Sequence, residues 1–484
     1  MLFTTPSFLF AFFPLVVAVY FSIPSGWRGI RNVWLLLSSF FFYGVGEPHF
    51  VAILAVSCLV NWGAGFLVAP GRPCRRLALG LSIAANVALL GRFKYLVFGI
   101  TQCNLIFGTS LSVPSIALPL GISFFTFQAM SYVADVFRGI SKPRRNPLDV
   151  ALYIVLFPQL IAGPIVRYET IADELRGRHE NWGDFADGLC RFVKGFAKKM
   201  LLANPLAIIA DSAFDGANWI PASLGGGPTS VSLAWLGALA FTLQIYFDFS
   251  GYSDMAIGMG RMFGFHFQEN FLHPYVSKSI SEFWRRWHVS MGTWFRDYVY
   301  FPLGGSRVRT RMRLVANLFV VWFLTGLWHG ANWTFICWGL MFFVLIVIDK
   351  LLWSRIFREG FLFSAVSRFW TLFFVICGWV LFRADSLDSA WSYLRVMFHV
   401  GGVPLSDAVT TLLFKENAVL LVVSLLASLP LAPLFRSFAD RVFASPGASV
   451  FRAIIRTLWI SALFVASLSF VAKGAHNPFL YFNF

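Results

Sequence analysis

Charged residues are scarce in this sequence. Only 13% of its 484 residues are Asp, Glu, Lys or Arg, whereas 58% are hydrophobic. Soluble globular domains carry about 25% charged residues, so this composition excludes an ordinary soluble enzyme or binding domain. Apolar runs recur along the chain. Several of them are close to the length of about 20 residues that a spanning helix needs. The chain is therefore predicted to be an all-α polytopic membrane protein with roughly ten to thirteen membrane helices.

Cysteine patterns and several familiar motifs are also missing. The six cysteines are scattered and form no C-x-x-C pair, so neither a disulfide framework nor a zinc site is predicted. There is no P-loop, H-E-x-x-H or G-x-S-x-G sequence, and the glycines after Gly258 have the wrong spacing for a dinucleotide-binding turn. We accordingly expect no metal and no bound cofactor.

Low-complexity linkers and internal repeats are absent as well. Residues 1–484 are therefore assigned to a single integral-membrane domain, and the missing repeat disfavours a transporter built from inverted halves. The first basic residue is Arg28, so residues 1–27 lack the basic segment of a cleavable signal peptide. Met1–Ile23 is therefore predicted to form a retained first helix whose N-terminus is extracytoplasmic.

Basic residues outnumber acidic ones, which leaves a formal net charge of +16. In a soluble protein this excess would suggest a nucleic-acid partner. Here the basic residues occupy short loops between apolar runs, which is typical of cytoplasmic loops in a membrane protein. We therefore expect contact with the lipid bilayer and no nucleic acid.

Polar and charged residues are interleaved with aromatic ones between about residues 240 and 350, where we expect the chemistry. The stretch FLTGLWHGANWTFICWG contains His329. The preceding run Leu314–Trp328 corresponds to about 22 Å of helix, against an apolar layer about 30 Å thick. His329 is therefore expected at membrane depth, beside a helix break and a cavity. The alternative is a core histidine that joins two helices through one hydrogen bond.

A second histidine follows a helix-start signal. Ser279 and Glu282 form an S-x-x-E capping box, and the residues after it place His288 on the apolar face of one amphipathic helix. Such a helix suits the membrane interface or a re-entrant position. The alternative is an interfacial anchor whose histidine only packs.

Two carboxylates lie within one apolar stretch upstream of this helix. The structural interpretation is that Asp248 or Ser250 caps a helix, while Asp254 pairs with Arg261 or another base. Asn270 lies just beyond, in a turn-like segment.

Several longer motifs follow one another along most of the chain. They include LPLGISFFTFQAMSYVADVFRG (118–139), FPQLIAGPIVRY (157–168), DFSGYSDMAIGMGRMFGF (248–265), SEFWRRWHVSMGTWFRDYVYFPLGG (281–305), LTGLWHGANWTFICWG (324–339), LFRADSLDSA (381–390) and the terminal NPFLYFNF. Together these motifs resemble the membrane-bound O-acyltransferase (MBOAT) family, specifically its bacterial branch of alginate O-acetylation subunits.

The resemblance implies re-entrant or interfacial helices around a central tunnel, with a catalytic core at about residues 240–350. It also implies transfer of an acetyl group from a cytoplasmic thioester, either acetyl-CoA or a carrier protein, for O-acetylation of an exported alginate-like polysaccharide. Related systems add extracytoplasmic acetyltransferase partner proteins. The implied location is the bacterial inner membrane. The polymer, the form of the donor and the oligomeric state stay open.

The same resemblance assigns roles to individual residues. The histidine matching His329 is regarded as catalytic in this family, and the one matching His288 lies on the same pathway. A hydroxyl needs a base within about 3 Å to take its proton as the thioester is attacked, and His329 is our candidate. Candidate substrate-binding residues are Asn270, Trp328, Asn332 and Asp248.

The arginines before His329's helix, Arg307 and Arg309, are candidates for contacting donor phosphates. The alternative is an anchor that contacts anionic lipid. Two other functions also remain open. One is transfer of D-alanyl or another acyl group to a cell-wall polymer, and the other is a proton-coupled transporter or flippase.

Overall fold

The computed structural model describes residues 1–216, 227–353, 361–431 and 446–474, and within these ranges it contains helices and loops but no β-strand. The terminal motif NPFLYFNF lies outside the described residues. The α-helices of the first range are α1 (Phe13–Ser22), α2 (Arg28–Gly46), α3 (Val51–Leu67), α4 (Arg75–Leu90), α5 (Leu96–Phe107), α6 (Ile122–Arg138), α7 (Pro147–Val155), α8 (Phe157–Leu160), α9 (Tyr168–Ile171), α10 (Glu174–Gly177), α11 (Trp182–Ala197) and α12 (Asn204–Asp211).

The α-helices of the later ranges are α13 (Val231–Met262), α14 (Ile280–Arg286), α15 (Val289–Phe295), α16 (Arg311–His329), α17 (Trp333–Ile348), α18 (Phe361–Arg383), α19 (Leu387–Met397), α20 (Ala408–Ser428) and α21 (Pro446–Ala472). Short π-helical or 3-10 turns also occur, at Phe8–Phe12, Pro48–Phe50, Gly91–Tyr95, Lys198–Ala203, Ser212–Gly216, Pro274–Val276, Arg296–Tyr300 and Asp349–Trp353.

Eight helical stretches in the described ranges are long and apolar enough to cross a membrane. They are Pro48–Leu67, Arg75–Phe107, Val231–Met262, Arg311–His329, Trp333–Leu351, Phe363–Arg383, Ala408–Ser428 and Val450–Ala472, and Phe8–Ser22 is a shorter apolar helix. The predicted all-α polytopic architecture is therefore confirmed. The number of such stretches is lower than the expected count of spans.

One reason for the lower count is the apolar run at residues 151–165, which the hydropathy pattern marks as a membrane segment. In the structure α7 ends at Val155, Leu156 adopts a non-helical backbone, and α8 begins with Phe157 and Pro158. Proline has no backbone N–H and clashes with the carbonyl four residues earlier, so Pro158 is accommodated in the first turn of α8 and not in the interior of one continuous helix. Leu156 and Phe157 are fully buried, so this run is protein core rather than a lipid-facing span.

The described residues fall into two compact units. The first comprises Met1–Phe192, Ser253–Glu269 and Thr293–Pro302, and the second comprises the described residues within Val193–Tyr252, Asn270–Gly292 and Leu303–Phe484. The assignment of residues 1–484 to a single domain stays a prediction.

In the first unit, α6 and α7 are buried along much of their length, and α2, α3 and α4 pack against them. Glycines permit a second close approach, because a Cβ on Gly188 of α11 would lie 2.5 Å from the carbonyl oxygen of Gly258 in α13. Asp254 pairs with Arg191, whose Nε lies 3.0 Å from the carboxylate. Asp254 therefore has a basic partner, as expected, and that partner is one that the sequence did not identify.

Buried charges in the first unit are collected around Glu180. Its carboxylate binds Arg28, with Nη2 at 3.0 Å from Oε2, and it also accepts a hydrogen bond from the hydroxyl of Tyr20. Arg31 lies 3.2 Å from the same carboxylate. Burial alone would raise the pKa of Glu180, but the hydrogen bonds from Arg28 and Tyr20 lower it to about 2. Glu180 is therefore ionised over the physiological range and neutralises the surrounding arginines.

In the second unit, α16 and α17 form a tight antiparallel hairpin that α18 packs against. The hairpin depends on two glycines. A Cβ on Gly326 would lie 2.5 Å from the Phe335 carbonyl oxygen, and one on Gly339 would lie 2.5 Å from the Trp322 carbonyl oxygen. Farther along the chain, α19 packs on α18, and Tyr393 lies in a buried apolar cluster that α13, α18 and α19 share.

Candidate active site

His329 is the last residue of α16. The helix begins after Thr310, whose Oγ1 accepts a hydrogen bond from the Arg313 backbone N–H at 3.2 Å. His329 therefore lies about 27 Å along the axis from the arginine-rich start of the helix. His329 is 3% exposed, and it lies at the expected helix break. Its position at membrane depth beside a cavity stays a prediction.

Three aromatic rings surround the His329 imidazole. The ring centroids of Trp328, Trp338 and Phe382 lie 4.9, 4.9 and 5.1 Å from it. All three pairs are close to perpendicular, with interplanar angles of 77°, 82° and 79°. Edge-to-face packing is a favourable arrangement for aromatic rings, so these contacts restrict the orientation of the imidazole.

The turn after His329 is held by Asn332. Its Oδ1 accepts a hydrogen bond from the Thr334 backbone N–H at 3.2 Å, which caps α17. Its Nδ2 donates to the Asp385 carbonyl oxygen at 2.9 Å. Asn332 therefore fastens the hairpin turn to the segment that follows α18, and its suggested role in substrate binding stays a prediction.

His288 is fully buried and lies at a break between α14 and α15. Its backbone is left-handed, with φ at +46°, which is uncommon for a residue other than glycine. The prediction of one continuous amphipathic helix here is therefore wrong, although Ser279 does cap α14 through a 3.1 Å hydrogen bond from the Glu282 N–H.

Asn270 explains why a new helix begins after His288. It caps the start of α15, although it lies in the loop that precedes α14. Its backbone carbonyl accepts from the Val289 N–H at 3.0 Å, and its Oδ1 accepts from the Ser290 N–H at 3.2 Å and the Ser290 hydroxyl at 2.9 Å. The first N–H groups of a helix have no partner within it. Asn270 therefore satisfies the start of α15, and its suggested contact with substrate stays a prediction.

The same amide oxygen determines which ring nitrogen of His288 carries the proton. Nδ1 of His288 lies 3.1 Å from Asn270 Oδ1. An amide oxygen only accepts hydrogen bonds, so Nδ1 of His288 carries a proton. In a neutral imidazole Nε2 is then the nitrogen that can accept one. The ring of Phe249 packs edge-on against the imidazole at 4.6 Å.

Trp328 connects the two histidines. Its ring centroid lies 4.9 Å from that of His329 and 5.9 Å from that of His288. The two imidazoles are therefore no farther apart than the sum of these distances. The structure thus brings together four of the predicted site residues, His329, Trp328, His288 and Asn270.

Further tryptophans join the two histidines by a second route. Trp338, beside His329, lies 6.2 Å from Trp379, which lies 4.8 Å from Trp287, the residue before His288. The indole N–H of Trp338 is buried and has no hydrogen-bond acceptor among the described residues. A buried donor without an acceptor is costly, so this group is a candidate for binding a substrate oxygen.

Sequence reasoning missed several of these contacts. Phe382 and Trp379 lie in α18, far along the chain from His329, and Phe249 and Ser290 contact His288 or its cap. Phe382 lies within the LFRADSLDSA motif, which indicated the resemblance but no contact with His329. No periodicity in one helix could have identified residues that come from other helices.

Asp248 lies inside α13 rather than at its start, so the expectation that Asp248 or Ser250 caps a helix is wrong. Asp248 is 1% exposed, and its Oδ1 lies 2.5 Å from Nζ of Lys199. Charged groups in apolar surroundings are stable when they are paired, and α13 continues because this pair leaves its backbone hydrogen bonds intact. The suggested role of Asp248 in substrate binding stays a prediction.

Arg307 and Arg309 are exposed, in the loop before α16. They lie at the end of α16 opposite to His329, so a donor bound there must extend along the helix to reach the histidine. Their contact with donor phosphates stays a prediction. Among the described residues, no group of three or more His, Cys, Asp or Glu side chains is arranged to hold a metal ion.

The fold and the site define a polytopic helical membrane protein with two buried histidines joined by aromatic side chains. Residues 105–387 match the model of the MBOAT, membrane-bound O-acyltransferase family, and this range contains every candidate site residue named above. The chain therefore belongs to the membrane-bound O-acyltransferase family. It is an O-acyltransferase and an integral membrane protein.

Relatives of known name agree with this assignment. The Pseudomonas putida protein named probable alginate O-acetylase AlgI is 39% identical over the whole of both chains. The Helicobacter pylori peptidoglycan O-acetyltransferase is 33% identical over 100% of this chain and 98% of its own. The Bacillus subtilis teichoic acid D-alanyltransferase is 32% identical over 47% of this chain and 58% of its own. The resemblance to the alginate O-acetylation branch is therefore confirmed.

Proposed function

We propose that the protein takes an acetyl group from a cytoplasmic thioester and passes it to a hydroxyl that is reached from the opposite side of the bacterial inner membrane. The transfer serves O-acetylation of an exported, alginate-like polysaccharide. The observation that carries this proposal is the position of His329, which is buried at the end of α16 farthest from the arginines Arg307–Arg313 at and before the start of that helix. Similarity to two O-acetyltransferases along the whole chain supports acetyl rather than D-alanyl transfer.

The proposed orientation follows from charge. Cytoplasmic loops of membrane proteins are enriched in Lys and Arg, so the Arg307–Arg313 end of α16 faces the cytoplasm and the donor. Arg28 faces the cytoplasm by the same rule, and the N-terminus is then extracytoplasmic. Acetyl-CoA and an acetylated carrier protein are both suitable donors, because each presents a thioester beside an anionic phosphate group.

In the proposed reaction His329 is the general base. The acceptor oxygen forms a bond to the thioester carbonyl carbon while its proton passes to a ring nitrogen of His329. Collapse of the tetrahedral intermediate breaks the carbon–sulfur bond, and the proton then neutralises the leaving thiolate. The products are an ester and a free thiol, so neither a metal nor a redox partner is needed for balance.

Two neighbours support the base in this scheme. The indole N–H of Trp338 stabilises the oxyanion, because it is a buried donor beside His329 with no acceptor of its own in the described residues. His288, with its Nδ1 proton directed at Asn270, offers Nε2 as an acceptor. It therefore orients the acceptor hydroxyl and does not donate to the oxyanion.

The partners in this proposal are extracytoplasmic acetyltransferase proteins that complete transfer to the polymer, or the polysaccharide itself. The central tunnel joining donor and acceptor sides is part of the proposal. Its path runs by the Trp328 ring, since that ring contacts both histidines.

The test is acetyl transfer by the purified protein in lipid nanodiscs, with radiolabelled acetyl-CoA or acetylated carrier protein and a panel of acceptors. His329→Ala is compared with His49→Ala, an exposed histidine outside the site. We expect His329→Ala to lose at least about 100-fold in turnover while it still binds donor, and His49→Ala to match the wild type. Normal turnover by a folded His329→Ala variant would exclude His329 as the base.

A further inference from the structure

A cavity of about 490 Å³ with both apolar and charged lining residues lies in the second unit. Its lining includes Asp215, Arg383, Asp385, Ser389 and Ser392. Small-molecule pockets have volumes of about 300–1,000 Å³, so the cavity is large enough for a short peptide segment of one or two residues.

The wall of this cavity is directly joined to the surroundings of His329. Phe382, whose ring packs on His329, is followed in sequence by Arg383 and Asp385 of the cavity wall. The Asp385 carbonyl oxygen accepts the hydrogen bond from Asn332, in the turn after His329. The cavity therefore adjoins the end of α16 that lies opposite the arginine-rich end.

Negative charge dominates the cavity. Arg383 binds two carboxylates, with Nη2 at 3.1 Å from Asp211 and 2.6 Å from Asp215. The exposed Asp385 adds a third carboxylate with no ion pair among the described residues. Two carboxylates, Asp215 and Asp385, and one guanidinium therefore line the cavity, and that guanidinium is also paired with Asp211.

The pKa of Asp215 reflects this excess of carboxylates over cations. Burial raises the pKa of Asp215, Arg383 opposes that change, and the neighbouring carboxylates Asp211 and Asp385 raise the pKa further. A positive group that enters the cavity would relieve the repulsion among these carboxylates. A metal ion is a poor candidate, because no metal-ligating cluster of His, Cys, Asp or Glu occurs among the described residues.

We propose that this cavity binds a cationic segment of a protein that accepts the acyl group. In that segment a lysine or arginine lies beside the reacting hydroxyl. The carboxylates pair with the cation, and Ser392 of the cavity lining offers a hydrogen bond to the backbone. The same charges repel a polyuronate chain, so an acidic polysaccharide is not the molecule that enters here. This inference rests on the proposed function, because it concerns the acceptor of that reaction.

The test measures binding without catalysis. The protein is held in nanodiscs of phosphatidylcholine, which has no net charge, and fluorescent peptides Lys-Ala-Ser-Ala-Lys, Gln-Ala-Ser-Ala-Gln and Glu-Ala-Ser-Ala-Glu are titrated, alongside an oligouronate. We expect the lysine peptide to bind most tightly and the two anionic probes to bind least. Its affinity should fall at high salt, where the Debye length is only about 3 Å.

Variants connect the binding to the cavity. Asp385→Asn should weaken the lysine peptide up to about fivefold, as expected for one partly exposed charge pair, and Asp385→Asn with Asp215→Asn should weaken it further. Asp385→Glu should restore binding. The matched control is Asp173→Asn, an exposed aspartate of the first unit, which should bind like the wild type.

Equal binding of all probes, or unchanged binding by the double variant, would overturn the proposal. So would tighter binding of the oligouronate, which would identify the polysaccharide as the direct occupant. The proposed function can fail without the cavity assignment. If the lysine peptide binds selectively but no acetyl transfer is detected, the proposed function fails and the cavity assignment stands. If acetyl transfer occurs and added lysine peptide does not inhibit it, the proposed function stands and the cavity is not the acceptor site.

Discussion

The packing of α16 on α17 should control catalysis, and Gly326→Ala tests this directly. A Cβ on Gly326 would lie 2.5 Å from the Phe335 carbonyl oxygen, whereas ordinary contact begins at 3.4 Å. The partner atom is backbone and cannot rotate away, so the two helices must separate by about 1 Å. His329 lies three residues farther along α16 and moves with it.

The expected cost has two parts. Overpacking of this kind lowers the free energy of unfolding by about 1–3 kcal/mol. A displacement of about 1 Å at a reacting group lowers the rate about 100-fold. Turnover by Gly326→Ala should therefore fall much more than its content of folded protein.

The assay is acetyl transfer in nanodiscs with donor binding and thermal unfolding measured on the same samples. The matched control is Gly80→Ala in α4, where an added Cβ meets nothing within 4 Å. Alanine is favoured over glycine in a helix by about 1 kcal/mol, so this control should be as active as the wild type and no less stable. Wild-type turnover by a folded Gly326→Ala would refute the reasoning that this contact positions His329.

Two further predictions concern the oxyanion and the Glu180 cluster. Trp338→Phe keeps an aromatic ring but loses the indole N–H, so kcat should fall about 100-fold with little change in donor binding. The control Trp322→Phe, which removes another buried tryptophan of the cluster, should keep most of the activity. Equal losses in the two variants would argue for a packing role alone. Glu180→Gln should lower the free energy of unfolding by about 3–5 kcal/mol, because it leaves buried arginines uncompensated. The pKa of Glu180 is lowered to about 2. Its contribution to stability is therefore fully present above the unfolded pKa of about 4.3 and is lost as the pH falls toward 2. Thermal unfolding from pH 7 to pH 3 should therefore show a wild-type advantage over Glu180→Gln that shrinks with acid, and an advantage that grows with acid would contradict the assignment.

Local patterns were sufficient for the class of protein and for one part of the site. Hydropathy depends only on composition along a segment, so the helical membrane architecture followed from it. The helix break at His329 was also predictable, since Gly330 and Asn332 directly follow it and Asn332 caps the next helix. The hypothesis about His329 came from residues that are adjacent in sequence.

Long-range contacts were not accessible in the same way. Asn270 caps α15 across a loop, which divides the helix predicted around His288 into two. Lys199 neutralises Asp248 from another helix, which removes any need for Asp248 to cap its own. Both interactions depend on which helices become neighbours, and a periodicity within one helix carries no information about that.

The sequence by itself therefore determined a helical membrane protein with a histidine at a helix end, because solvation and helix-capping preferences act locally. The acyltransferase class came from motifs that resemble those of a known family, and not from these preferences. The tertiary structure alone decided what surrounds that histidine. It brought Trp338 and Phe382 against the His329 ring, linked the ring to His288 through Trp328, and built an acidic cavity beside them. These arrangements arise from close packing among helices that are distant in the chain, and packing is a property of the assembled fold.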